Sequence, residues 1–185
     1  MPLINKSRIL IMATHGFEQS ELEKPLEQLR AKGARVEVAA PEPGQINGWQ
    51  GGDWGKPVLV DLALDAVDVG NYDALVLPGG VMNPDKLRMN EKALAIVKAF
   101  LGAGKVVAAI CHGPWLLVEA DAVKGRSITS YPSLRTDIIN AGGRWVDKQV
   151  VTDEGIITSR NPGDIDAFVA KIVEEIEEGR HRRAA

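Results

Sequence analysis

The chain has 185 residues, 45% of them hydrophobic and 25% charged, and carries a net charge of −3. That composition excludes a disordered chain and offers no basic surface for a nucleic-acid backbone. A single cysteine cannot close an internal disulfide, no apolar run approaches the ~20 residues that span a bilayer, and Met1 to Lys6 lack the apolar stretch of a secretory leader. The expectation is one domain over residues 1–185 of a cytoplasmic protein with no membrane or nucleic-acid partner.

Arg8 to Ala13 reads as a buried strand, being short and uniformly apolar. Leu22, Leu26 and Leu29 then recur at helical spacing between Glu18 and Lys32, with Gly33 as the stop and Pro25 as a kink or a later start. Arg35 to Ala40 is the next strand. Residues 41–57, with Trp49 and Trp54 among glycines and prolines, read as an ornate loop or small hairpin. Val58 to Asp61 is a short strand, and Tyr72 to Leu77 is another, cut off by Pro78-Gly79-Gly80. A helix is predicted from Glu91 to Leu101, then a strand from Val106 to Ile110 that runs into Cys111-His112-Gly113 and a helix-like Pro114 to Val118.

Beyond residue 126 the elements shorten. Ile128-Thr129 is a short strand, Ser133 to Ala141 a helix ended by Gly142-Gly143, and 150–152 with 156–158 a hairpin across Asp153-Glu154-Gly155. The last helix runs from about Gly163 to Glu178 with Phe168, Ile172 and Ile176 inward, and the basic run from Arg180 to Arg183 reads as an exposed helix end. Alternation of helices with uniformly apolar strands predicts an α/β fold. Its sheet is mostly parallel and covered by helices on both faces.

In such a sheet, chemistry gathers outside the carboxyl ends of the strands. Three strand ends carry suggestive residues: His15 and Glu18, then Gly79 and Gly80, then Cys111 and His112. A lone cysteine beside an apolar strand is ordinarily a packing residue. Histidine and glycine directly after it are poor core fillers, and a sharp strand-to-helix turn exposes one side chain while a helix N-terminus behind it favours the thiolate. Cys111 is therefore the candidate nucleophile, its thiol expected to titrate well below the free value of ~8.5. Backbone N–H groups at Gly79, Gly80 and the turn at Gly113 would steady an oxyanion. Three histidines and one cysteine show no metal-ligand spacing, and no phosphate-cradling glycine pattern follows the first strand, so neither metal nor cofactor is expected.

Gly16-Phe17-Glu18-Gln19-Ser20-Glu21-Leu22, Leu75 to Gly80, Ala109-Ile110-Cys111-His112-Gly113-Pro114 and Thr129-Ser130-Tyr131 resemble, in order and spacing, the PfpI family, within the superfamily of the human parkinsonism-linked protein deglycase. Asn140-Ala141-Gly142, 150–153 and 157–164 resemble it too. The resemblance implies a flavodoxin-like three-layer sandwich with a small β-hairpin addition, Cys111 at a nucleophile elbow, a protonated carboxyl at Glu18 touching the thiol, and a homodimer or larger ring. It also implies a substrate contact near Tyr131, whereas His15 departs from the acidic or amide residue of relatives and reads as a solvent-facing turn histidine, with substrate binding as the alternative. In the protease branch a neighbouring subunit supplies an acid, and the matching residue is Asp85, shorter than the glutamate of the archaeal members. Trp115 stands where related amidotransferases carry glutamine, and His181 is the only histidine after His112, which argues against glutaminase activity.

Three functions remain open on the sequence. A thiolate at Cys111 with Glu18 as acid/base suits glyoxal, methylglyoxal or their early protein adducts, through a hemithioacetal. Cys111, His112 and Asp85 would suit an intracellular cysteine peptidase. An exposed thiolate alone would suit an oxidation sensor or holdase.

Overall fold

The computed structural model describes residues 3–179. The basic run at 180–183 and His181 lie outside the described residues. The elements, in chain order, are β1 Arg8–Met12, β2 Phe17–Glu18, α1 Gln19–Ala31, β3 Arg35–Ala40, β4 Gly44–Gln50, β5 Asp53–Val60, β6 Leu62–Ala63, β7 Ala74–Leu77, α2 Met82–Leu87, α3 Glu91–Gly102 and β8 Val106–Ile110. The carboxyl-terminal part holds α4 Trp115–Glu119, β9 Ser127–Ile128, α5 Arg135–Asn140, β10 Arg144–Trp145, β11 Val150–Asp153, β12 Ile156–Ser159 and α6 Ile165–Glu178.

Seven strands form one sheet in the order β11-β12-β8-β7-β1-β3-β6, parallel throughout except for the β11–β12 hairpin at one edge. The uniformly apolar strands are explained by two cores rather than one. Alternate residues of β1 point to opposite faces: Ile9 and Ile11 join Leu22, Leu29, Phe168 and Ile172 of α1 and α6, while Leu10 and Met12 join Val97, Phe100 and Leu117 of α3 and α4. This is the expected flavodoxin-like sandwich. Among the described residues, no helix is long and apolar enough to cross a membrane.

Three local expectations change. Residues 44–60 form one long antiparallel hairpin turning at Gly51-Gly52, so Val58 to Val60 belong to its second arm and the seventh sheet strand is Leu62–Ala63. Trp49 and Trp54 pair across that hairpin, ring centroids 5.5 Å apart and edge-on. β9 pairs with β10 outside the main sheet. Pro25 neither delays nor ends α1, which begins at Gln19 and runs through it. A proline has no N–H to give, so the carbonyl of Glu21, four residues earlier, goes without its helical partner.

Candidate active site

The carboxyl ends of β1, β7 and β8 converge, and Cys111 follows β8 directly. Its φ of 62° is left-handed, a conformation that costs a residue with a Cβ about 1–2 kcal/mol. The turn is pinned on both sides: Cys111 N–H donates to the Ser159 carbonyl at 3.0 Å, and its own carbonyl accepts the Tyr131 N–H at 2.9 Å. This is the sharp turn expected from the sequence. Cys111 is only 7% exposed, yet its sulfur faces polar groups. His112 Nδ1 lies 3.2 Å from Sγ, the backbone N–H groups of Gly80 and His112 donate to it, and the Glu21 carboxyl couples to it.

The sequence points to Glu18 as the acid on the thiol; the structure puts Glu21 there instead. Glu18 is the extended residue before α1, and its Oε1 accepts from the Ser20 hydroxyl at 3.2 Å. Glu21 is the third residue of the helix, where a side chain leans back over the helix start. It is fully buried, its Oε2 accepts the Gly79 N–H at 2.9 Å, and Oε1 is left as the oxygen to carry a proton. Burial pushes the Glu21 carboxyl up to about 8. The Gly79 N–H opposes that rise, the charge of Glu18 adds to it, and the bond with Cys111 opposes it.

Burial also pushes the Cys111 thiol up, and a charged Glu21 pushes it further, while the N–H groups of Gly80 and His112 pull it down. The thiol is therefore raised, not lowered as the sequence led one to expect: burial and Glu21 outweigh the N–H donors, and α4, five residues long, supplies little of a helix dipole. A neutral Glu21 would lessen the cost of forming the thiolate. The two groups are too close to be charged together, so the pair sheds one proton where isolated groups would shed two. With Glu21 protonated, the thiolate meets an O–H donor rather than a carboxylate.

The glycines divide their work differently from the expectation. Gly79 N–H is committed to Glu21, and a Cβ there would lie 2.5 Å from Glu21 Oε2 and 2.6 Å from Cys111 Cβ. Gly113 N–H is bonded to the Ile110 carbonyl at 2.8 Å, so it is no free oxyanion donor; its lack of a Cβ leaves room for the Leu77 carbonyl. Only Gly80 of the three aims its N–H at the sulfur. His15 is exposed and its Nδ1 accepts the Asn47 N–H at 3.1 Å, which ties it to the hairpin. Tyr131 stacks on His112 with centroids 4.8 Å apart and is 43% exposed at the mouth of the site. Asp85 stands exposed on α2; within this chain the other ring nitrogen of His112 is bonded to Ser133 Oγ at 3.1 Å. Burial pushes the His112 imidazole down, which keeps it neutral at pH 7.

These contacts meet the comparisons with known proteins. The model of the DJ-1/PfpI family matches residues 7–175. The chain belongs to the DJ-1/PfpI family. It is 45% identical over 166 residues to Deglycase TK1284 of Thermococcus kodakarensis, covering 90% of this chain and 97% of that protein. It is 41% identical over 163 residues to General stress protein 18 of Bacillus subtilis, covering 87% of this chain and 92% of that protein. Among solved structures, Drosophila melanogaster DJ-1beta superposes with a TM-score of 0.83 at 29% identity, over 93% of this chain and 94% of that one.

Asn83 escapes notice in the sequence because a lone amide between the Gly79-Gly80 turn and Asp85 carries no signal of its own. Fully buried on α2, it accepts the Thr14 N–H at 2.7 Å and donates to the carbonyls of Pro78 and Gly79 at 2.9 and 3.1 Å. It thereby braces the glycine turn against the end of β1. Asn83→Ala leaves the Thr14 N–H and the Pro78 carbonyl unpaired, while the Gly79 carbonyl keeps the Glu18 N–H, an expected loss of about 2–4 kcal/mol in urea unfolding. An unchanged midpoint would show that this brace carries no stability.

Proposed function

We propose that this member of the DJ-1/PfpI family is a cysteine-dependent enzyme that acts on glyoxal, methylglyoxal or the early adducts they leave on proteins. Cys111 is its nucleophile and Glu21 its acid/base. The observation that carries this reading is the fully buried carboxyl of Glu21 beside the thiol, bonded to the Gly79 N–H and pushed up to about 8 by that burial. Sulfur adds to the aldehyde carbon, its electron pair forming the C–S bond, and the carbonyl π pair moves to oxygen, which takes a proton to give the hemithioacetal. Glu21, once it has yielded its proton, is the base placed to move a proton between the two carbons of the adduct. The Gly80 N–H stands beside the reacting sulfur and is the fixed donor nearest the new oxyanion. The deglycase names carried by relatives such as TK1284 support the same substrate class.

The peptidase reading draws on one specific observation, His112 Nδ1 at 3.2 Å from Sγ. The acid it also requires, Asp85, would have to come from a second copy of the chain, approaching from the exposed side of α2. A carbonyl substrate of two or three carbons needs neither that acid nor a peptide groove, so aldehyde chemistry ranks first. A sensor or holdase would need the thiol but no turnover. Purified protein with methylglyoxal and, separately, with an unfolded protein distinguishes the three. The expected result is aldehyde consumption that is lost in Cys111→Ala, with little peptide cleavage. Cysteine-dependent proteolysis without aldehyde loss would reverse the order, and neither activity would leave the sensor.

A further inference from the structure

We infer that Ser133 is a positioning residue for Cys111, acting through His112: its hydroxyl holds the imidazole so that Nδ1 faces the sulfur. This rests on the proposed role of Cys111 as nucleophile. The ring of His112 lies against Tyr131, nearly parallel at 24°, and meets the Trp115 ring edge-on with centroids 5.2 Å apart. Those contacts fix the plane of the imidazole. They do not tell nitrogen from carbon, because a half-turn of the ring fills the same space. Two hydrogen bonds make that choice, Nδ1 with Cys111 Sγ at 3.2 Å and Nε2 with Ser133 Oγ at 3.1 Å.

The chemistry of the partner matters as much as its place. A carboxylate on Nε2 only accepts, and would hold a proton there permanently. A hydroxyl both donates and accepts, so the neutral ring can carry its proton on either nitrogen. Thiol ionisation then has a path within a single chain. The S–H proton passes to Nδ1, the Nε2 proton passes to Ser133 Oγ, and the original Ser133 hydroxyl proton passes to water. One negative charge remains on sulfur, one hydronium enters solvent, and His112 and Ser133 end neutral. Ser133 is exposed, so water reaches the end of the path. The ionisable groups around the ring are engaged elsewhere. Glu21 of α1 lies across the sulfur, Asp137 of α5 accepts from Trp115 Nε1 at 2.8 Å, and Arg88, which follows α2, covers the Trp115 ring and pairs with Glu119.

The test uses reduced protein with 15N-labelled histidine and no substrate, so it stands or falls separately from aldehyde turnover. Two quantities are read: the ring-nitrogen shifts of His112, assigned by their absence in His112→Asn, and the rate of Cys111 alkylation by iodoacetamide across the neutral and alkaline range. Ser133→Ala is expected to slow alkylation at neutral pH by about tenfold, roughly the worth of one hydrogen bond, to move the profile upward and to change the tautomer signals. Ser133→Thr restores both, and Ser133→Asp fixes the proton on Nε2. A wild-type profile with wild-type ring signals in Ser133→Ala overturns the proposal. If Ser133→Ala fails to fold, the threonine and aspartate variants decide, and identical ring signals in those two overturn it.

Discussion

Replacing Glu21 by alanine is expected to slow methylglyoxal consumption by about 10²- to 10⁴-fold, the usual worth of a positioned acid/base, while Glu18→Gln leaves the rate nearly unchanged. The two carboxyls are three residues apart, and only the fold separates their roles. Glu21 is fully buried, bonded to the Gly79 N–H and coupled to Cys111, whereas Glu18 is partly exposed and bonded to Ser20. Glu18 does act at a distance, because its charge helps keep the Glu21 proton in place. Initial rates for the two variants check this directly. A large loss in Glu18→Gln with a mild one in Glu21→Ala would transfer the acid/base role to Glu18 and sink the assignment made here.

The same carboxyl makes the fold sensitive to alkali. Its value rises from 4.5 to about 8 on folding, so the native state holds a proton that the unfolded chain gives up. Stability from this group is therefore complete below about pH 4.5 and is lost as pH climbs through about 8. At 1.36 kcal/mol per tenfold in proton affinity, the full loss is about 5 kcal/mol. Glu21→Gln keeps a buried polar group of similar shape that never ionises. Urea unfolding at about pH 5 and about pH 9 is expected to show a steep decline for the wild type and a much smaller change for the variant, in which only other groups such as His112 and Cys111 respond. Parallel declines in the two proteins would show that Glu21 is ionised in the native state at neutral pH. It would then be no donor to the thiolate. This measurement reads the proton alone, so it remains informative even if the substrate is not an aldehyde.

Much of the frame is legible in the residues. The apolar strands at 8–12, 74–77 and 106–110 and the helices between them announce a doubly covered parallel sheet. The carboxyl ends of those strands then nominate Cys111 and the Gly79-Gly80 turn. The acid is harder to read, and the reason is local. Taken as a continuous helix from residue 18, both glutamates fall near the inward face. Once α1 is seen to begin at Gln19, Glu18 becomes its extended cap and Glu21 heads the buried stripe that continues through Pro25 and Leu29. That stripe is in the sequence, but the helix boundary that makes it decisive is not, because an N-cap glutamate carries no strong start signal.

Ser133 and Asn83 lie further beyond reach. Their partners are 21 residues away at His112 and 69 residues away at Thr14, and a hydroxyl or an amide at such separations leaves no periodic trace. The glycines show the same division. A Pro-Gly-Gly turn after a strand declares close backbone approach, but not which N–H is taken up internally and which faces the sulfur. The residues alone determine the alternation of strands and helices, and with it the sheet and the turn that holds the cysteine, because hydrophobic periodicity is a short-range property of the chain. Packing alone decides which carboxyl loses its water and keeps its proton, which N–H remains to serve the thiol and what holds the imidazole. Desolvation and hydrogen-bond pairing depend on groups that meet only after the chain has folded.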